Sequence, residues 1–183
     1  MKKNVIVFGL ISGLIVSLWL VVGIAWCYNS GNFEGSMLLG YASMILAFSL
    51  VFVGIKNYRD KYNGGIISFV KAFKIGLYIS LVASTMYVVV WLVDYYVFVP
   101  DFMDKYTEHV ISQAKSSGGS AAEISGKITE INAMKDMYDT PLMVILLTYM
   151  EILPVGLIVS IISALMLKRK TNNKTEAALF EPK

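Results

Sequence analysis

Four long apolar stretches alternate with more polar segments along the chain. An apolar run of about 20 residues is long enough to cross the ~30 Å hydrocarbon core of a bilayer as an α-helix. A helix also satisfies its own backbone hydrogen bonds, which lipid cannot do. The pattern therefore predicts four membrane-spanning helices, over residues 5–26, 37–55, 69–99 and 141–167.

Residues 101–140, between the third and fourth spans, are polar and contain two stretches with helical periodicity. A Ser-Ser-Gly-Gly break at 116–119 separates them, and Ser120 followed by Glu123 fits a capping box. We predict a helical hairpin outside the bilayer. The expected fold is an all-α membrane protein with four transmembrane helices and a single domain over residues 1–170, followed by a disordered cytoplasmic tail over 171–183.

Positive charge is distributed unequally along this arrangement. Twelve of the 16 Lys and Arg residues lie in the N-terminal segment, between Lys56 and Lys74 around the start of the third span, or in the C-terminal tail. The predicted hairpin carries the other four, which are Lys105, Lys115, Lys127 and Lys135. Because Lys and Arg near membrane spans are retained in the cytoplasm, we predict that both termini are cytoplasmic and that the hairpin is extracytoplasmic.

Composition agrees with a membrane protein, since 56% of the residues are hydrophobic and 16% are charged, against about a quarter charged in soluble domains. The net charge of +3 comes from residues that flank the spans, so we expect no nucleic-acid partner. Cys27 is the single cysteine and His109 the single histidine, which argues against a disulfide, a metal site and a cofactor. The sequence contains no HExxH motif, phosphate-binding glycine loop or nucleophile elbow. We therefore expect that the protein is not an enzyme.

Small residues recur at four-residue spacing in the first and third spans. Such a small-residue stripe allows another helix backbone to approach closely in lipid. The stripes predict helix packing, either within the chain or between two copies of it, at Gly9, Gly13 and Ser17 in the first span and at Ala72, Gly76 and Ser80 in the third.

Two carboxylates fall within predicted spans, where an ionisable side chain costs at least about 2.5 kcal/mol. Glu151 lies about 15 Å along the helix from Pro141, and Asp94 about 9 Å from Pro100, at 1.5 Å per residue. Pro154 cannot donate a backbone hydrogen bond, and Thr148 adds a hydroxyl nearby. These four residues form a candidate intramembrane polar site, provided that the helices of Glu151 and Asp94 pack side by side.

Two interpretations of this candidate site remain open. In the first, Glu151 and Asp94 handle protons or cations. In the second, Glu151 is protonated and hydrogen-bonds a neighbouring helix, while Asp94 extends to the outer interface.

A pattern of Gly-Gly-x-x-Ser-Phe-x-x-Ala-Phe-x-x-Gly covers residues 64–76, and Tyr-Met-Glu-Ile-Leu-Pro-Val-Gly covers 149–156. Together they resemble an uncharacterised bacterial membrane family of the Bacteroidota type, domain of unknown function 4199. The resemblance implies a four-helix protein of the bacterial inner membrane. It implies no activity, ligand or catalytic residue.

The function expected from these features is that of a non-enzymatic association or accessory subunit in the lipid bilayer. Its expected partner is a second copy of the chain or a larger membrane complex, reached through the small-residue stripes and the hairpin. The alternative is a small oligomeric transporter, or a proton or cation permeation protein, that uses Glu151 and Asp94.

Overall fold

The structure, a computed structural model, describes residues 1–31, 33 and 37–169, and most of them are helical. A π-helical turn, Asp94–Phe98, continues directly from the third helix. The predicted disordered tail over 171–183 lies outside the described residues. The α-helices are α1 (Lys2–Ser30), α2 (Met37–Tyr62), α3 (Phe69–Val93), α4 (Phe102–Ser116), α5 (Ala121–Tyr138) and α6 (Pro141–Leu167).

Four of the helical segments are long and apolar enough to cross a membrane, which confirms the expected number of candidate spans. The first two helices are longer than the predicted spans, because both continue into polar residues. In α2 the helix passes through Lys56, Arg59 and Lys61 before it ends at Tyr62. The segments are Lys2–Ser30, Leu38–Tyr62, Phe69–Phe98 and Pro141–Leu167.

The four long helices form a bundle in which α3 contacts each of the other three, and α2 contacts α1 and α6. Large aliphatic and aromatic side chains fill much of the centre of the bundle. The largest fully buried apolar side chains include Phe48, Ile55, Ile75, Ile79 and Ile152. These large core side chains come from α2, α3 and α6.

One end of the bundle, which we call the basic end, joins the C-terminal parts of α2 and α6. Arg59 is buried there; it pairs with Asp60 at 2.6 Å and donates a hydrogen bond to the carbonyl oxygen of Leu167. Ile67 and Arg169 exchange two backbone hydrogen bonds, so the turn before α3 is tied to the end of α6. Ser68 caps α3 by accepting a hydrogen bond from the backbone N–H of Lys71.

The opposite end, which we call the α4/α5 end, carries the two shorter helices. Ser120 and Glu123 form the predicted capping box at the start of α5, and Lys135 of α5 forms an ion pair with Asp104 of α4. Aromatic rings connect this helix pair to the bundle, and they include Trp91, Tyr95, Phe102, Tyr106 and Tyr138. The polar segment between the third and fourth spans is thus two helices in mutual contact.

Candidate intramembrane site

The small-residue stripe of α1 faces α3 of the same chain. A Cβ atom placed on Gly9 would lie 2.7 Å from the Cβ of Val82, and one on Gly13 would lie 3.0 Å from the Cβ of Met86. Ser17, at the end of the stripe, is buried, and its hydroxyl has no hydrogen-bond partner among the described residues. Because α3 occupies this surface, the stripe is not free to join two copies of the chain.

The stripe of α3 faces α6 in the same manner. A Cβ on Gly76 would lie 2.9 Å from the Cβ of Ser160, and one on Gly156 would lie 2.8 Å from the Cβ of Ser80. Ser80 hydrogen-bonds the carbonyl oxygen of Gly156 and the hydroxyl of Ser160, both at 3.1 Å. Ala72, at the start of this stripe, is fully buried. Both stripes therefore hold the bundle together from inside.

Gly156 and Ser160 complete the α3–α6 contact, and the sequence analysis did not identify them. The signal was present, since Gly156, Ser160 and Ala164 repeat at four-residue spacing in the fourth span.

Polar side chains of α1 tie its N-terminal half to α2. Asn4 donates to the carbonyl oxygen of Gly54 at 2.9 Å and accepts from the side chain of Asn57 at 2.7 Å. Ser12 donates to the carbonyl oxygen of Ala47 at 2.7 Å. These three hydrogen bonds hold the two helices together from the basic end to the middle of the bundle.

Towards the α4/α5 end the same two helices leave a cavity of about 540 Å³ between them. Its rim is open, because Trp19, Trp26 and Leu39 are 50%, 58% and 57% exposed. Its lining is largely apolar and consists of Val16, Trp19, Leu20, Val22, Gly23, Ile24, Trp26, Cys27, Leu39, Gly40, Ser43, Met44, Tyr87 and Glu151.

Glu151 is the one acidic side chain among these lining residues, and none of them is Lys or Arg. No described residue forms a hydrogen bond or ion pair with its carboxyl group, although Tyr87 lies in the same lining. The neighbouring hydroxyl of Tyr149 is engaged elsewhere, with Thr85 at 2.8 Å. The cavity thus presents a single carboxyl group to a space bounded by apolar and aromatic groups.

Thr148 and Pro154 do not belong to this cavity. The hydroxyl of Thr148 is buried and donates to the carbonyl oxygen of Val144 at 2.7 Å, within its own helix. Pro154 lies inside α6, which continues through it to Leu167. Of the four residues of the candidate polar site, the cavity lining therefore includes Glu151 and does not include Thr148 or Pro154.

Asp94 occupies a different place from Glu151. It begins the π-helical turn, where its carbonyl oxygen accepts a hydrogen bond from Val99 at 2.9 Å. The residue is 8% exposed, and its Oδ2 atom has no hydrogen-bond partner among the described residues. Asp94 is not part of the cavity lining, so the structure does not bring the two carboxylates into one site.

The family described as Protein of unknown function (DUF4199) matches residues 7–169, which include most of the first candidate span and all of the other three. The chain belongs to this family. The match confirms the resemblance noted for residues 64–76 and 149–156. In the other two comparisons, no curated protein and no solved structure matched the chain.

In this family member, a polar cluster joins the end of α1 to the start of α4. Tyr28 donates a hydrogen bond to Asp101 at 2.9 Å, and Lys105 pairs with Asp101 at 2.8 Å. The ammonium of Lys105 also lies 4.2 Å from the centre of the Tyr28 ring. Hydrogen bonds from Lys105 and then from Tyr28 lower the pKa of the Asp101 carboxyl. The cluster connects the end of α1 to the start of α4.

The described residues contain no group of three or more His, Cys, Asp or Glu side chains placed to hold a metal ion. His109 lies on α4, with its ring centre 6.1 Å from that of Phe33. Tyr28 and Asp101, by contrast, were not identified from the sequence, because 73 residues separate them. No local spacing reports a contact of that kind.

Proposed function

We propose that this protein is a non-enzymatic accessory protein of the bacterial cytoplasmic membrane, and that it takes a membrane-dissolved small molecule into the cavity beside Glu151. One observation carries the proposal: a carboxyl group that none of the described residues pairs with lines a cavity whose mouth opens sideways between α1 and α2. Cavities of about 300–1,000 Å³ with an apolar lining and few polar groups are typical ligand sites.

The orientation belongs to the proposal. The basic end, with Arg59 and Arg169, lies in the cytoplasm together with both termini, and the α4/α5 pair is extracytoplasmic. Support comes from the distribution of Lys and Arg between the two ends. The cavity then opens within the outer half of the bilayer, and the molecule it binds enters from the lipid.

We also propose that the protein does not catalyse a reaction in this cavity. A general acid or base acts together with a second group that is correctly placed for the reaction. Among the described lining residues, Tyr87, Ser43 and Cys27 are the other side chains with a transferable proton. Since Asp94 lies outside the cavity, no second carboxyl supports acid–base chemistry there.

Filling the cavity tests this function. Gly40 lines the cavity, and a Cβ atom added to it meets nothing within 4 Å, so Gly40→Phe blocks the space without a clash at its first side-chain atom. Gly126 in α5 is equally open and lies away from the cavity, which makes Gly126→Phe a matched control. A neutral alkyl diazirine alcohol in nanodiscs should label the peptides of the cavity in the wild type and in Gly126→Phe but not in Gly40→Phe. Equal labelling in all three proteins would contradict the proposal.

A second candidate function is proton or cation permeation by an oligomer of this chain. It is favoured by the buried Oδ2 atom of Asp94, which has no described partner, in addition to Glu151. The fully buried Phe48, Val51 and Ile152 argue against a water path through a single copy, so this function needs an interface between copies. Proton flux into liposomes that is lost in Glu151→Gln and Asp94→Asn would support it. Flux equal to that of empty liposomes would exclude it.

We also propose that the protein associates with a second copy of itself or with other membrane proteins. Because α3 covers the stripe of Gly9 and Gly13, and α6 covers that of Gly76 and Ser80, a homo-oligomer or larger complex must use other surfaces. The outward faces of α1 and α2 are available, with Leu18 and Leu46 56% and 68% exposed.

A further inference from the structure

We propose that the cavity beside Glu151 binds a lipophilic cation, in which an ammonium group is attached to an apolar body, with the Glu151 carboxylate as its counter-ion. The inference rests on the proposed function, because it names the class of molecule that enters the cavity.

The charge of the cavity lining favours a cation. Glu151 is the one acidic side chain of the described lining, which holds neither Lys nor Arg. A carboxyl group about 15 Å from the start of α6 lies near the middle of the bilayer. A charged group at that depth is costly unless it is paired. Since the described chain supplies no partner, a cationic ligand complements the site and an anionic ligand does not.

The aromatic residues of the lining favour an organic cation over a metal ion. Trp19, Trp26 and Tyr87 belong to the same lining as Glu151. Aromatic faces attract ammonium groups by cation–π interaction, and Trp does so best. A hydrated metal ion would find one carboxyl group and few other oxygen atoms here, whereas Ca²⁺ and Mg²⁺ prefer six or more oxygen ligands. The lining therefore matches an organic cation better than an inorganic one.

The size and position of the cavity favour a cation with an apolar body that enters from the lipid. The volume of about 540 Å³ leaves space for an apolar body larger than the ammonium itself, against Leu20, Val22 and Met44. The mouth opens between α1 and α2, where the exposed rim residues Trp19 and Trp26 would lie in lipid. A molecule that dissolves in the membrane reaches this mouth directly.

The experiment compares a primary alkyl amine that carries a diazirine with the alcohol of the same chain length. Both probes are titrated against the full chain in phosphatidylcholine nanodiscs, and the labelled peptides are quantified by mass spectrometry. A hydrogen bond to a charged partner contributes about 1.5–3 kcal/mol, which corresponds to about a tenfold to hundredfold difference in half-saturation. We expect the amine to label the cavity peptides at a concentration at least about tenfold lower than the alcohol.

Glu151→Gln retains the shape of the side chain and removes its charge, so it should abolish the advantage of the amine over the alcohol. Glu130→Gln, at an exposed position of α5, is the matched control for net charge and should behave as the wild type. Thermal unfolding of each variant in the same nanodiscs verifies that it is folded.

The outcomes separate the ligand class from the proposed function. Equal half-saturation for amine and alcohol, or an amine preference that persists in Glu151→Gln, would overturn the assignment of a cation to Glu151. Labelling of the cavity by both probes would in that case still support the proposed function. Labelling by neither probe would overturn both.

Discussion

Ser80 in α3 donates a hydrogen bond to the backbone carbonyl oxygen of Gly156 in α6, across 3.1 Å. The two helices approach this closely because Gly156 has no side chain, and an added Cβ would lie 2.8 Å from that of Ser80. Lipid provides no hydrophobic drive for helix association, so close packing and interhelical hydrogen bonds supply much of it. We therefore expect the free energy of unfolding to depend on the contact between α3 and α6.

Enlarging a glycine at this contact should destabilise the bundle. We expect Gly156→Leu and Gly76→Leu to lower the free energy of unfolding by about 1–3 kcal/mol or more, because overpacking forces the helices apart. The measurement is thermal or denaturant unfolding in detergent. Gly126→Leu, where the added group meets nothing within 4 Å, is the control and should not destabilise the protein.

The same variants address association between copies. Since Gly76 faces Ser160 of its own chain, its enlargement should reduce the folded fraction without converting an oligomer into a folded monomer. Blue-native gels together with unfolding curves distinguish these results. A stable monomer produced from an oligomer by Gly76→Leu would show that the stripe joins copies after all.

Removing the polar tie between α1 and α2 should loosen the basic half of the bundle. Asn4 makes two hydrogen bonds, to Gly54 and to Asn57, and each interhelical hydrogen bond in a membrane contributes about 0.6 kcal/mol on average. We expect Asn4→Leu to cost about 1 kcal/mol in unfolding experiments. Asn29→Leu, at an exposed position of the same helix, is the comparison, and an equal loss there would contradict the role of Asn4.

Chemical labelling can determine the orientation. In a Cys27→Ser background, a cysteine at Ser125 in α5 should react with a membrane-impermeant maleimide added to spheroplasts. A cysteine at Lys61, at the basic end, should react only after the membrane is permeabilised. The reverse pattern would place the α4/α5 pair in the cytoplasm and would refute the proposed orientation.

The cluster of Tyr28, Asp101 and Lys105 should respond to acid. Its hydrogen bonds lower the pKa of Asp101 below the ordinary value of 3.8, so the stabilisation that it provides is present above that value. The stabilisation is lost as the pH falls through the lowered pKa. Spin labels at Cys27 and at a cysteine replacing Glu108 should therefore report a fixed distance at pH 6 and a broadened distribution at strongly acidic pH.

Asp101→Asn provides the comparison for this measurement, since it removes the negative charge at every pH. It should broaden the distance distribution already at pH 6. A narrow distribution in Asp101→Asn at pH 6 would show that the cluster does not hold α4 to α1.

The helical pattern of this chain was largely predictable from local sequence. Ser120 and Glu123 lie three residues apart, so their capping box is a property of adjacent residues and appears in the structure as expected. The ends of α1 and α2 were less predictable. A helix continues into polar residues such as Lys56 and Arg59 when its backbone hydrogen bonds persist. Hydropathy predicts only the apolar part of such a helix and not where the helix ends.

Contacts between distant residues were not predictable in the same way. Four-residue spacing identified Gly9 and Gly76 as sites of close approach, but it contains no information on which helix approaches. Glu151 and Trp19 are far apart in sequence, and their presence in the lining of one cavity depends on how α1, α2 and α6 pack together. Thr148 lies three residues before Glu151 in α6, and its hydroxyl donates a hydrogen bond to the carbonyl oxygen of Val144 in the same helix.

The sequence by itself determined the number of apolar helices, the polar α4/α5 segment and the position of one carboxyl group deep in the last span. These properties follow from run length, periodicity and the 1.5 Å rise of a helix, all of which are local. Only the tertiary structure decided that the stripes face inward, that Asp94 and Glu151 belong to different places, and that Glu151 faces an open cavity. The reason is that interhelical packing depends on the relative rotation and tilt of helices, which no single helix encodes.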